Sequence, residues 1–238
     1  VVEAFIRAQL VNPHASSRRR YDDGEGARWR VERSEARTDL LGLMFAVQIP
    51  QILLGFTHIV VDLISPQDTL KRYYALLQAL FLVAPQPAWT ANVGRRLMKT
   101  PKTTLNDTGL LAHLAGISEQ RLSQDNLLLG PAIETFVVNE LRKQLTWSDA
   151  GVELFHFRDN KGNETDIVLE NRGGEVVGIE VKAAATLRQE DFRGLDKLSL
   201  TAKGRFKRGI LLYTGDKVLS FGAHYAAPIQ SLWSSANL

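Results

Sequence analysis

The sequence predicts an α/β protein: a helical first part, then a mixed sheet flanked by helices. Three observations predict it. From about residue 153 onward, short apolar runs alternate with polar residues at the period of a strand with one buried face, and turn residues separate them. Around residues 70–80 and 130–141, apolar residues recur at three- and four-residue spacing, the period of a helix with one buried side. The composition, 45% hydrophobic and 23% charged over 238 residues, is that of a globular chain long enough to bury a core.

Residues 1–38 are polar and mixed in charge, with Arg18-Arg19-Arg20 followed by Asp22-Asp23, Gly24 and Gly26. They read as a short helix and a solvated linker. Residues 39–64 are strongly apolar, and helix and strand compete there until Pro50 ends the first piece. Ser65-Pro66-Gln67-Asp68 is a helix start: Ser65 caps, Pro66 suits the first turn, and Asp68 favours the dipole. Leu70, Tyr73, Tyr74, Leu77 and Leu80 then share one helix face. Phe81-Leu82-Val83 continues as a strand, and Pro85 and Pro87 mark a turn. Arg95, Arg96, Lys99 and Lys102 fall within eight residues. A helix followed by a short basic hairpin is the pattern of a winged helix, so residues 39–104 read as a winged-helix-like segment. A helical packing domain with a basic surface fits the same pattern.

From Leu105 the pattern turns α/β and continues to residue 238. A short helix follows Asp107 and ends at Gly116; Gly130-Pro131 opens a longer one carrying Ile133, Phe136, Val137 and Leu141. Strands are expected at 153–157, 165–170, 176–182, 208–213, 218–221 and 225–229, with a helix over 189–200. Gly215-Asp216 reads as a hairpin turn. Trp89, Trp147 and Trp233 read as core or rim packing.

The absence of cysteine excludes disulfides, a thiolate nucleophile and any Cys-ligated metal. The net charge of +3 allows a local basic patch and no more. No run reaches the ~18 apolar residues of a membrane span, and the start at Val1 has no signal-peptide pattern. A cytoplasmic chain without membrane association, the back portion of something longer, is the expectation.

The residues that carry chemistry are Asp166, Glu180 and Lys182. In Val177-Gly178-Ile179-Glu180-Val181-Lys182, alternation sends Glu180 and Lys182 to one face and the three apolar residues to the other. A short turn around Asn171–Gly174 makes the two strands a hairpin and sets Asp166 beside Glu180. The helix carrying Glu134 can add a third carboxylate. Two or three carboxylates at one locus repel unless a cation neutralises them. Oxygen ligands alone suit Mg²⁺ or Mn²⁺. His156, on a strand between two phenylalanines, can reach the cluster but reads more simply as structural. Arg158, Lys161 and Arg188 flank it.

This order, a helix with Glu134, a strand with Asp166, a strand with Glu180-Val181-Lys182, then helix and strand, resembles the PD-(D/E)XK restriction-endonuclease-like superfamily, with Thr165-Asp166 as its proline–aspartate element. The resemblance implies a metal-dependent phosphodiesterase. Asp166, Glu180 and Glu134 would hold Mg²⁺ or Mn²⁺, and Lys182 would orient water or stabilise charge. Lys71, Arg72, Arg95, Arg96 and Lys99 would grip DNA. The same fold also serves without chemistry, docking DNA, a protein partner or another copy of itself. A closer resemblance rests on Gly130-Pro131-x-x-Glu134-x-Phe136-Val137-Val138-Asn139-Glu140-Leu141, Asp107-Thr108-Gly109-Leu110, Gly178–Lys182 and Leu212-Tyr213-Thr214-Gly215-Asp216. Those runs are similar to the C-terminal domain of prokaryotic AAA-type ATPases, from about Leu70 to Leu238. The chain has no Gly-x-x-x-x-Gly-Lys-[Ser/Thr], so no phosphate cradle of that kind and no nucleotide site are expected in it.

Overall fold

The computed structural model describes residues 67–124 and 128–233. The expected N-terminal helix and linker, the apolar stretch 39–64 and the Ser65-Pro66 cap lie outside the described residues. Helix α1 (Gln67–Ala79) comes first. Its Leu77 is fully buried and, with Tyr74, packs on Val83, Leu105, Leu110 and Leu111; Leu76 and Leu80 stay largely exposed.

Strands β1 (Val83–Gln86) and β2 (Lys102–Leu105) pair antiparallel, with Val83 opposite Leu105 and Gln86 opposite Lys102. The strand expected at Phe81 starts two residues later, because Phe81 turns the chain with φ 56. Pro85 lies inside β1 rather than in a turn. β1 has a single partner strand, so a residue without an N–H is tolerated there. The connection to β2 includes a 3-10 stretch, Val93–Met98. It also sews the ribbon onto the larger sheet: His156 N–H donates to the Pro87 carbonyl at 2.9 Å, and Trp89 N–H donates to the His156 carbonyl at 2.6 Å. Trp89 is fully buried, as the sequence indicated; Trp147 is exposed and Trp233 lies half-exposed against Phe136.

Helix α2 (Thr108–Leu114) is capped by Asp107, whose Oδ1 accepts from Leu110 N–H at 2.5 Å, and Gly116 (φ +61) follows its end. After α3 (Glu119–Gln124) comes α4 (Leu129–Thr146), with Pro131 in its first turn. Strands β3 (Val152–Arg158), β4 (Glu164–Asn171) and β5 (Val176–Lys182) form an antiparallel meander. Helix α5 (Arg193–Ala202) crosses to β6 (Phe206–Tyr213), parallel to β5. β7 (Leu219–Phe221) and β8 (His224–Pro228) complete a six-stranded mixed sheet in the order β3-β4-β5-β6-β8-β7. The hairpin expected at Gly215-Asp216 is not one, since β8 lies between β6 and β7; the true turn is at Gly222, φ +60.

The sheet buries both faces. Ile167, Leu169, Val177, Ile179, Ile210 and Leu212 pack on Val137, Val138 and Leu141 of α4. On the other face, α5 lays Leu198 beside Val168 and Val176, and Leu195 beside Leu211. Each fully buried leucine or isoleucine contributes roughly 1.5–3 kcal/mol. Helix α5 comes unusually close. A Cβ at Gly178 would lie 2.6 Å from Leu198 Cδ2, and one at Gly194 would collide with the Glu164 carbonyl. No helix among the described residues is long and apolar enough to cross a membrane.

Candidate functional site

The pairing of β4 with β5 sets Ile167 opposite Ile179 and Val168 opposite Gly178. The next position along carries Asp166 on one strand and Glu180 on the other. Strand alternation puts Glu180 on the α5 face, opposite to Ile179; at Asp166 the alternation is interrupted, because β3 and β4 shift register between Phe155 and Phe157 and Thr165 lies toward Gly178 on the α5 side. Two further contacts hold them. Val181 N–H donates to Asp166 Oδ2 at 2.9 Å. The first turn of α5 approaches Glu180 through Gly194, whose missing Cβ would sit 3.3 Å from Glu180 Oε2. That oxygen is buried and has no hydrogen-bond partner.

Burial is the first cause that raises both proton affinities, since each carboxylate loses water. Asp166 rises to about 7, with the Glu134 charge adding to burial and Lys102, the Val181 N–H and Lys182 opposing. Glu180 rises to about 9, pushed by burial, then by Asp166, and more weakly by Glu134, against Lys182 and the Asp166 backbone. Both carboxyl groups therefore favour their neutral, protonated forms.

Lys182 extends from the end of β5 to Asp191, at 3.4 Å, and its charge still acts on Asp166 and Glu180. Glu134, on the first turns of α4, is ion-paired with Lys102 of β2. Its charge reaches Asp166 and Glu180, but its carboxylate belongs to that lysine. Among the described residues no three His, Asp or Glu side chains are gathered as a metal-ligand group.

The expected DNA-gripping residues divide. Lys71 and Arg72 on α1, and Arg95 and Lys99, are exposed; Lys99 Nζ donates to the Arg158 carbonyl at 3.0 Å. Arg96 is inward. Its guanidinium makes a forked ion pair with Glu170, at 2.5 and 2.9 Å, and lies over Phe155 and Trp89. The basic run is read wrongly there, because a cation flanked by exposed neighbours gives no local sign that a buried carboxylate 74 positions on awaits it. Arg158 pairs with Glu164 at 3.0 Å and Arg188 with Glu190 at 3.3 Å, both on the surface.

Sequence reasoning also missed two residues. Gln86 is fully buried, and its amide donates to the Asp166 carbonyl at 2.8 Å and to the Phe155 carbonyl at 2.9 Å, so β1 clamps the strand that bears Asp166. Lys102 was legible only as one member of a basic run. Burial works against its ammonium, but Glu134, Asp166 and Glu164 outweigh that and hold its pKa above the ordinary lysine value. His156, beside them at a register shift of β3, is lowered to about 4 by burial and then by Lys102, so it is neutral near pH 7.

Residues 129–232 match the family model described as "Domain of unknown function (DUF4143)". The second half of the chain is similar to that family. Residues 39–121 match a second model, "Domain of unknown function (DUF8612)". Two mycobacterial proteins, "Uncharacterized protein Mb2031c" of Mycobacterium bovis and "Uncharacterized protein Rv2008c" of Mycobacterium tuberculosis, are each 33% identical to this chain over 120 residues. The match spans half of this chain and 26% of their length. Asp166, Glu180, Lys182 and Glu134 all lie in the DUF4143 match, whereas Lys102 and Gln86 come from the DUF8612 match.

Proposed function

We propose that the DUF4143-like domain is a PD-(D/E)XK-like phosphodiesterase that hydrolyses DNA with Mg²⁺ or Mn²⁺. The observation that carries the reading is the pair of carboxylates on neighbouring strands, Asp166 and Glu180, both shielded from water. The succession of α4, the β3–β4–β5 meander, α5 and parallel β6 follows the element order on which the sequence resemblance rests, which supports the reading.

The residues fit a hard divalent cation. Mg²⁺ binds through one or two carboxylates and keeps several waters. Glu180 Oε2 is a buried oxygen without a partner. Asp166 and Glu180 would be the ligands; a bound ion would polarise the scissile phosphate and acidify a water. Lys182 would hold a hydroxide or a phosphate oxygen by charge, leaving Asp191 to do so. Exposed Lys71, Arg72, Arg95 and Lys99 would supply the sequence-independent attraction to the DNA backbone. In this reading such a domain would act beside an ATPase in a cytoplasmic protein, as in the AAA-type ATPases that the sequence resembles, with DNA or a protein partner as its target.

One observation favours a second reading, a binding module without chemistry: the Glu134 carboxylate is already neutralised by Lys102. Calorimetric titration of Mn²⁺ and Mg²⁺ into the chain and into Asp166→Ala and Glu180→Ala decides between them. Binding in the micromolar to low-millimolar range, lost in both variants, followed by cleavage of linear DNA, supports the phosphodiesterase. Heat that is absent, or identical in all three proteins, refutes it.

A further inference from the structure

Lys102 reaches the carboxylate cluster from outside the domain that owns it. It stands on β2, in the two-stranded ribbon, opposite Gln86, whose amide holds the carbonyl of Asp166. Its ammonium is ion-paired with Glu134 of α4, with both side chains largely covered, 29% and 21% exposed. The ribbon has little freedom to withdraw it. The strand pair is anchored by Trp89 and His156 backbone bonds, and Asn139 Nδ2 of α4 donates to the Leu105 carbonyl at 2.8 Å at the end of the same strand. Besides Lys182, the cluster thus already contains a cation supplied from the ribbon and fixed by backbone contacts.

From this geometry we infer that Lys102 is a built-in competitor of the divalent ion: its charge lowers the metal affinity of the Asp166–Glu180 pair, so the DUF8612 segment sets how readily the DUF4143 site loads. The inference rests on the metal site proposed above. Two effects act in one direction. A fixed ammonium repels a dication across a poorly screened, partly buried space. It also engages Glu134 through Oε1, so the third carboxylate in reach of the pair already has one oxygen and much of its charge committed. A lysine that served the site as a phosphate anchor would present its ammonium to solvent; this one spends it on an internal carboxylate.

Removing the charge should tighten binding. Lys102→Met keeps the length of the side chain and deletes the ammonium; Lys102→Arg keeps the charge. In calorimetry on the full 238-residue chain, Lys102→Met should bind Mn²⁺ at least about tenfold more tightly than the wild type, with Lys102→Arg within about threefold of it. Should Lys102→Met fail to fold because Glu134 is stranded, Lys102→Gln, whose amide can still donate to Glu134 without carrying a charge, should still bind more tightly than the wild type. If wild-type binding is lost in Asp166→Ala but unchanged or weaker in both Lys102 variants, Lys102 is no competitor and the metal site stands without it. If no protein in the series binds Mn²⁺ in an Asp166-dependent way, the metal site itself is wrong and the inference falls with it.

Discussion

Replacing Arg96 by alanine should destabilise the chain by about 3 kcal/mol. Both partners of the Arg96–Glu170 fork have side chains only 11% exposed, and the two bonds are 2.5 and 2.9 Å long. Breaking a buried pair by deleting one partner costs roughly 3–5 kcal/mol, because the other charge is stranded. Arg205 Nη1, 3.5 Å from Glu170 Oε1, remains to soften that loss. Against it, the guanidinium lies 4.8 Å from the Phe155 ring centre and 5.8 Å from that of Trp89; exposed contacts of that kind give about 0.5–1 kcal/mol each. The lower end of the range follows. Urea unfolding monitored by the fluorescence of buried Trp89 measures it. With a slope of about 2 kcal/mol/M, the midpoint should fall by about 1.5 M. Arg95→Ala, on the exposed side, should change stability by less than about 0.5 kcal/mol. A midpoint for Arg96→Ala within 0.3 M or so of wild type, with an unchanged slope, would refute the argument. It would return Arg96 to the role of a phosphate contact, which costs DNA affinity and no stability.

Two further outcomes follow from the site. Asp166 and Glu180 hold protons in the folded chain at pH values where the unfolded chain, with carboxylates near 4, has released them. The native state then binds more protons, so metal-free stability falls as pH rises from about 6.5 through the raised values near 7 and 9. Thermal midpoints in chelator at pH 6.5, 7.5 and 8.5 should decline for wild type and less steeply for Asp166→Asn; parallel lines would contradict the shift. The slope is read above about 6.5 because His156, lowered to about 4, adds stability that is lost only below that pH. Gly178→Ala should cost about 1–3 kcal/mol, because the new methyl meets Leu198 and Leu195 at 2.6 and 2.8 Å. Wild-type stability in urea would mean that α5 does not press on β5 as closely as described.

Much of the domain was legible because its signals are local. The strands around Phe155, Val168 and Ile179 announce themselves by alternation, and the helix at Gly130-Pro131 by its turn chemistry and apolar spacing. Hairpin geometry then aligns Asp166 with Glu180: the β4–β5 turn closes through Gly174 N–H to the Asn171 carbonyl, at 2.9 Å, with Gly174 at φ +78. Where local signals misled, a nonlocal constraint had won. Pro85 entered a strand because that strand has one neighbour, and Gly215-Asp216 failed as a hairpin because β8 paired with β6 across it.

The sequence by itself determined which residues alternate, where helices start, and that a carboxylate and an ammonium, Glu180 and Lys182, stand two residues apart on one strand. Periodicity and turn chemistry act over a few residues and are written in the order of the chain. Only the tertiary structure decided which charge meets which. Lys102 finds Glu134 at a separation of 32 residues, Arg96 finds Glu170 at 74, and Gln86 finds the Asp166 backbone at 80. A buried polar group must find its partner wherever the fold supplies one, and no spacing rule encodes that distance.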